Sequence, residues 1–124
     1  MHGPTFMANA LACAVAGAAL DILDENRWQA QVTGLETAMR QGLEPCRHLP
    51  GVEDVRVLGG IGVVETERPV NTAALQACFV EQGVWIRPFN RLIYLMPPYV
   101  SPTEDVIRLC AAVETALRRG AHCA

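Results

Sequence analysis

The stretch 83–99, GVWIRPFNRLIYLMPPY, constrains the fold of this chain most, because it predicts two short β-strands joined by a turn of two residues. The predicted strands cover residues 84–89 and 92–96. Asn90 and Arg91 form the turn between them, and asparagine tolerates the positive φ that a tight hairpin turn requires. The stretch therefore predicts an antiparallel hairpin.

Arg87 lies between two aromatic residues on one face of this predicted hairpin. Strand alternation puts Trp85, Arg87 and Phe89 together, and Pro88 removes a ladder donor, which indicates an interrupted or edge strand. A guanidinium beside aromatic surface suits a carboxylate ligand, which it can hold by two parallel hydrogen bonds. An exposed arginine in an ordinary ion pair is the alternative, and the stretch taken alone favours that alternative.

The order of periodic segments along the chain predicts α-α-β-β-α-β-β-α. Hairpins in place of βαβ crossovers indicate an α+β domain with a small, mostly antiparallel sheet and helices on one side. The first helix is alanine-rich, and its sequence gives the least indication that it packs against that sheet. We therefore expect residues 1–24 to form a bridging helix and residues 25–124 to form the domain proper.

The chain opens with His2-Gly3-Pro4-Thr5 ahead of the first helical pattern. Thr5 stands where an N-cap belongs, with its hydroxyl facing the free N–H groups of the first turn. Helix N-termini also bind phosphate, so Thr5 could hold an anion instead of, or as well as, capping the helix. The local sequence favours the plain cap.

Composition excludes several classes of function. The formal net charge is −3 and no basic cluster occurs, so neither nucleic acid nor an anionic membrane surface has electrostatic support as a partner. The most apolar stretch, residues 11–23, is interrupted by Asp21 and predicts no membrane helix. Five cysteines without a C-x-x-C pair indicate a reduced, cytoplasmic protein and no metal site.

The chain contains no lysine, since all ten basic residues are arginines. Chemistry that needs a lysine Schiff base must draw that amine from elsewhere. No Walker A motif, dinucleotide loop or nucleophile–histidine–acid arrangement is recognisable either. Taken alone, the residues thus indicate two candidate binding groups and no catalytic group. Thr5 is the candidate for a phosphate, and Arg87 is the candidate for a carboxylate.

Three motifs together, HGPTFM with LACA, VRVLGGIGVVE and GVWIRPFNRLIYLMPPY, resemble the C-terminal part of class III, fold-type I, pyridoxal-phosphate aminotransferases. HGPTF with WIRPF is similar to the branch of that family that serves biotin biosynthesis. The resemblance implies the C-terminal small domain of a longer, cytoplasmic enzyme whose lysine-bearing large domain precedes it. It also implies a homodimer that shares pyridoxal 5'-phosphate between its subunits.

The resemblance further implies roles for individual residues. Pro4 and Thr5 would contact the cofactor phosphate of the partner subunit, and Gly3 would border its substrate. Arg87 would receive the substrate carboxylate, and Phe89 would line the same pocket. Tyr94 is a further candidate for that pocket. The implied substrates are S-adenosylmethionine as amino donor and 8-amino-7-oxononanoate as acceptor.

Ala8-Asn9-Ala10 departs from the Gly-Asn-Pro that relatives carry after this turn, which alters helix entry and removes no contacting group. Two other hypotheses remain open. One is a free-standing α+β module that uses Arg87 to bind a small carboxylate without catalysis. The other is a scaffold that pairs with a partner through its first helix.

Overall fold

The computed structural model describes residues 7–123, and its elements follow the order α-α-β-β-α-β-α. The helices are α1 (Ala10–Asp24), α2 (Trp28–Leu43), α3 (Thr72–Glu81) and α4 (Thr103–Arg118), and a 3-10 turn at Glu44–His48 follows α2. The strands are β1 (Val52–Leu58), β2 (Ile61–Thr66) and β3 (Leu92–Leu95). The chain divides into two compact units, Met1–Ala30 and Gln31–Ala124.

In the first unit, α1 begins later than the sequence predicts. Asn9 is its N-cap, and the Asn9 side chain accepts a hydrogen bond from the Ala12 amide at 3.0 Å. Ala8, just before it, has φ 57°, a left-handed conformation that cannot continue a helix backwards towards Thr5. The prediction that Thr5 caps this helix is therefore wrong, and Thr5 itself lies outside the described residues.

In the second unit, the three strands form an antiparallel sheet in the order β1-β2-β3. Val55 pairs with Val64, and Val64 pairs in turn with Ile93, so the three buried side chains form one row across the sheet. The neighbouring residues Arg56 and Tyr94 are exposed on the opposite face. Alternation along each strand thus gives the sheet one apolar face and one polar face.

Helices of the second unit cover the apolar face. A Cβ at Gly62 of β2 would lie 2.9 Å from Leu43 Cδ1 and 3.0 Å from Met39 Sδ, which shows how closely α2 lies on the sheet. Helix α2 approaches α4 just as closely, because a Cβ at Gly42 would lie 2.6 Å from Cys110 Cβ. This arrangement confirms the predicted α+β fold with a small antiparallel sheet and helices on one side.

The predicted hairpin is right at its turn and wrong in its first strand. Phe89 and Leu92 exchange two backbone hydrogen bonds of 2.8 Å, and Asn90 has φ 54° as the turn requires. Leu92–Leu95 then forms β3, but residues 84–88 make no ladder. Pro88 has no N–H to donate to a ladder, and β3, paired with β2 alone, is left as an edge strand of the described sheet. The segment is held by burial of Ile86 instead.

Candidate functional site

Arg87 lies at a cleft of about 290 Å³ on the second unit. The segment 84–88 supplies one wall, the end of β3 and the prolines after it supply another, and α4 contributes Leu109. Because Ile86 points into the core, its neighbours Trp85 and Arg87 point outwards, as the alternation predicted. The residues that give the cleft its character are Trp85, Arg87, Tyr94, Met96, Pro97 and Leu109.

The guanidinium of Arg87 has no ion-pair or hydrogen-bond partner among residues 7–123. Seven of the ten arginines form ion pairs within the described residues, and Arg87 belongs with Arg68 and Arg108 to the three that do not. The ion-paired alternative, which the stretch alone favoured, therefore finds no support in the described part of the chain. An exposed, unpaired guanidinium at an apolar cleft can receive a carboxylate in bidentate geometry.

Arg91 lies in the turn that follows Phe89 and, unlike Arg87, its guanidinium is ion-paired. It pairs with Glu65 of β2, which also accepts a hydrogen bond from Arg56 at 2.7 Å. Arg56 in turn pairs with Asp54 at 3.1 Å. The hydrogen bonds from Arg56 hold the pKa of both carboxyl groups below their usual range. Arg91 is thus neutralised within the sheet, whereas Arg87 keeps its positive charge available.

The other predicted site residues are only partly brought together. Tyr94 lines the same cleft as Arg87. Phe89 is 70% exposed and lies outside the cleft lining, so its predicted contact with substrate stays a prediction. Gly3, Pro4 and Thr5 lie outside the described residues. Sequence reasoning missed Leu109, because its place in the cleft depends on how α4 packs, which no local pattern reveals.

The described residues test a metal site but not the cofactor site. No group of three or more His, Cys, Asp or Glu side chains between positions 7 and 123 is placed to hold a metal ion. No helix of the described part is both long and apolar enough to cross a bilayer. The residues expected to contact the cofactor phosphate precede the described range, and the sequence contains no lysine. The expectation of pyridoxal phosphate therefore depends on the family resemblance alone.

Comparison with solved structures defines the class of fold. The chain superposes on an (S)-enantioselective omega-transaminase from Thermomicrobium roseum with a TM-score of 0.82 and 26% identity, covering 96% of this chain and 29% of that one. Acetylornithine aminotransferase from Elizabethkingia anophelis gives a TM-score of 0.79 at 26% identity, with 96% and 31% covered. Adenosylmethionine-8-amino-7-oxononanoate aminotransferase from Methanocaldococcus jannaschii gives 0.82 at 24% identity, with 95% and 30% covered. The fold is that of a transaminase segment.

Residues 1–117 match the aminotransferase class-III family, and the chain belongs to that family. Relatives carrying the name adenosylmethionine-8-amino-7-oxononanoate aminotransferase include one from Corynebacterium glutamicum, 52% identical over 95% of this chain and 28% of that protein. Another, from Mycobacterium leprae, is 44% identical over 91% of this chain and 26% of that protein. The chain thus spans little more than a quarter of the length of these relatives.

Proposed function

We propose that this chain supplies the C-terminal, carboxylate-binding part of an aminotransferase of biotin biosynthesis. The enzyme would move the amino group of S-adenosylmethionine to 8-amino-7-oxononanoate and form 7,8-diaminononanoate. The names and identities of the relatives support the reaction. The observation that carries the part assigned to this chain is the unpaired Arg87 at an apolar cleft.

The chemistry of the acceptor fits that cleft. A nine-carbon keto acid carries its carboxylate at one end of an apolar methylene chain and its ketone near the other. Arg87 would hold the carboxylate, while Trp85, Tyr94 and Leu109 would line the methylene chain. Fixing the remote end orients the ketone for reaction without any contact to the reacting atoms. Arg87 is therefore proposed as a substrate-binding residue.

The remaining parts of the proposal rest on the family resemblance. Pro4 and Thr5 would contact the phosphate of pyridoxal 5'-phosphate across a homodimer, and Gly3 would border the substrate. When bound, the cofactor supplies the electron sink for amino transfer. The lysine that holds it must come from residues outside these 124, because the chain has none. We place the enzyme in the cytoplasm.

A carboxylate-binding module without catalysis is the second candidate. The absence of lysine favours it, since these 124 residues cannot hold the cofactor covalently by themselves. Both candidates use Arg87 in the same way, and they differ in whether the chain completes an enzyme.

The test is a chimera in which this chain replaces the matching segment of the Corynebacterium glutamicum relative. Formation of 7,8-diaminononanoate from S-adenosylmethionine and 8-amino-7-oxononanoate would support the enzyme. A folded, cofactor-loaded but inactive chimera would favour the module.

In the active chimera, Arg87→Gln should raise the KM for 8-amino-7-oxononanoate about 10- to 100-fold. That range corresponds to the ~1.5–3 kcal/mol of a hydrogen bond to a charged group. The KM for S-adenosylmethionine and the cofactor absorbance should stay unchanged. Arg118→Gln is the matched control, because Arg118 is an exposed arginine paired within α4 to Glu114 at 2.7 Å. An unchanged KM in Arg87→Gln would refute the role of Arg87.

A further inference from the structure

Arg87 lies in a segment, residues 84–88, that no sheet ladder holds. Among the described residues, the backbone of this segment makes one hydrogen bond to other backbone, from the Val84 amide to the Phe79 carbonyl at 3.0 Å. Ile86 is 3% exposed and anchors the middle of the segment in the core. The direction in which the Arg87 side chain points is therefore set also on its C-terminal side, by the turn 89–92.

Pro88 is a stiff link between Arg87 and that turn. The pyrrolidine ring fixes the φ of Pro88 at about −65°. The same ring clashes with the preceding residue in a helical conformation, which restricts Arg87 to extended backbone. On the other side of Pro88, Phe89 exchanges two backbone hydrogen bonds of 2.8 Å with Leu92. A change in the orientation of the turn is therefore transmitted to Arg87, because little freedom lies between them.

Hydrogen bonds from the end of β2 and the residues just after it hold the turn in place. The Val70 amide donates to the Asn90 carbonyl at 2.8 Å, and the Thr66 amide donates to the Arg91 carbonyl at 2.8 Å. The Thr66 hydroxyl lies 3.1 Å from the Arg91 carbonyl and 2.7 Å from the Arg68 carbonyl. A hydroxyl has one hydrogen, so these two carbonyl oxygens share it.

The hydroxyl of Thr66 connects the turn to the corner that follows β2. Through Arg91 it holds the turn, and through Arg68 it holds the corner from which the Val70 amide reaches Asn90. Thr66 is 1% exposed, so water does not readily replace the hydroxyl as a donor. Loss of the hydroxyl would loosen the turn, while the amide bond from Thr66 to Arg91 would keep the end of β2 paired.

We propose that Thr66 is a positioning residue for Arg87. Its hydroxyl holds the turn, and the turn, through Pro88, fixes the direction in which the Arg87 guanidinium meets a carboxylate. Thr66 does not line the Arg87 cleft, so it acts through the backbone and not by contact with a ligand. This inference rests on the proposed function, in which Arg87 receives the carboxylate of the acceptor.

The test compares Thr66→Val, which removes the hydroxyl and keeps the branched shape, with Thr66→Ser, which keeps the hydroxyl. In the active chimera, Thr66→Val should raise the KM for 8-amino-7-oxononanoate about 3- to 10-fold, as expected for the loss of one hydrogen bond. The reason is that Arg87 then binds only in the fraction of molecules in which it is correctly placed. The kcat, the KM for S-adenosylmethionine and the cofactor absorbance should stay unchanged, and Thr66→Ser should restore the KM.

Thr37→Val is the matched control, because the Thr37 hydroxyl donates to the Thr33 carbonyl within α2 at 2.9 Å and makes no contact with the turn. In an Arg87→Gln background, Thr66→Val should add nothing to the KM, since no guanidinium remains to be positioned. An equal rise of the KM in both backgrounds, or a fall in kcat in its place, would show a merely structural role and overturn the inference.

A second measurement on the chain itself requires no activity. Backbone NMR order parameters at Trp85 and Arg87 should fall in Thr66→Val and equal the parent values in Thr66→Ser and Thr37→Val. Order parameters that do not fall in Thr66→Val overturn the inference. A KM that rises in Arg87→Gln but not in Thr66→Val overturns this inference alone, whereas a KM unchanged in Arg87→Gln overturns the proposed function together with it.

Discussion

Two glycines of α2 should respond in opposite directions to the same substitution by alanine. At Gly34 an added Cβ meets nothing within 4 Å, so only the helix preference remains. Gly34→Ala should stabilise the chain by about 1 kcal/mol. At Gly42 the added Cβ would lie 2.6 Å from Cys110 Cβ and 2.9 Å from Cys110 Sγ. Both atoms are anchored close to the backbone of α4, so the two helices would have to move apart.

Overpacking of this kind costs about 1–3 kcal/mol, against the gain of about 1 kcal/mol from the helix preference. Gly42→Ala should therefore lose up to about 2 kcal/mol and end about 1–3 kcal/mol below Gly34→Ala. Urea unfolding followed by circular dichroism measures both. In the Gly42→Ala background, Cys110→Gly removes the two clashing atoms, so the pair should couple favourably. Equal stability of the two alanine variants would refute the packing of α2 against α4 described here.

Two further predictions concern titration and thiol chemistry. Hydrogen bonds from Arg56 lower the pKa of Asp54 and of Glu65 in the folded chain. The two ionised carboxylates therefore stabilise the fold at a pH above their pKa values in the unfolded chain. This stabilisation is lost as the pH falls through their lower pKa values in the folded chain. Urea midpoints below about pH 5 should fall less steeply in Arg56→Gln than in the parent chain, and equal slopes would contradict the pairing. Iodoacetamide should modify the exposed thiols of the native chain first, Cys13 and Cys123, and spare the buried ones until denaturant is added, as read by mass spectrometry. The buried thiols are Cys46, Cys78 and Cys110, and burial raises the pKa of Cys46 to about 12 and that of Cys110 to about 11. Equal labelling of Cys46 and Cys13 in the native chain would contradict their burial.

The sequence predicted the features that depend only on neighbouring residues, namely a turn, the ends of a helix and the direction of side chains along a segment. Asn90 predicted the tight turn, since few other residues tolerate its φ of 54°. Asn71 and Gly83 predicted the bounds of α3, and the structure confirms both, with the Asn71 side chain accepting from Ala74 at 3.1 Å and Gly83 at φ 71°. The alternation around Ile86 predicted which side chains point outwards.

The features that could not be predicted from the sequence depend mostly on contacts between residues far apart in the chain. An alternating segment looks the same whether or not a partner strand exists, so the lack of a ladder at residues 84–88 could not be inferred from its pattern. The start of α1 depends on Ala8 at φ 57°, and alanine gives no local sign of a left-handed conformation. A cavity of about 290 Å³ lined by Gly51, Arg68 and His122 likewise joins residues far apart in sequence.

The contrast between Arg87 and Arg91 explains why one segment can carry both a structural and a binding arginine. The stretch 83–99 contains no acidic residue, so any countercharge for either arginine must come from elsewhere. Arg91 finds Glu65, because the turn places it beside β2. Arg87 points into a cleft whose described lining is apolar and aromatic and includes no carboxylate. A carboxylate in the cleft lining would hold Arg87 in an ion pair, as Glu65 holds Arg91, and would compete with any ligand carboxylate. Leaving Arg87 unpaired costs the fold little while it stays exposed to water, and it reserves the bidentate geometry for a ligand.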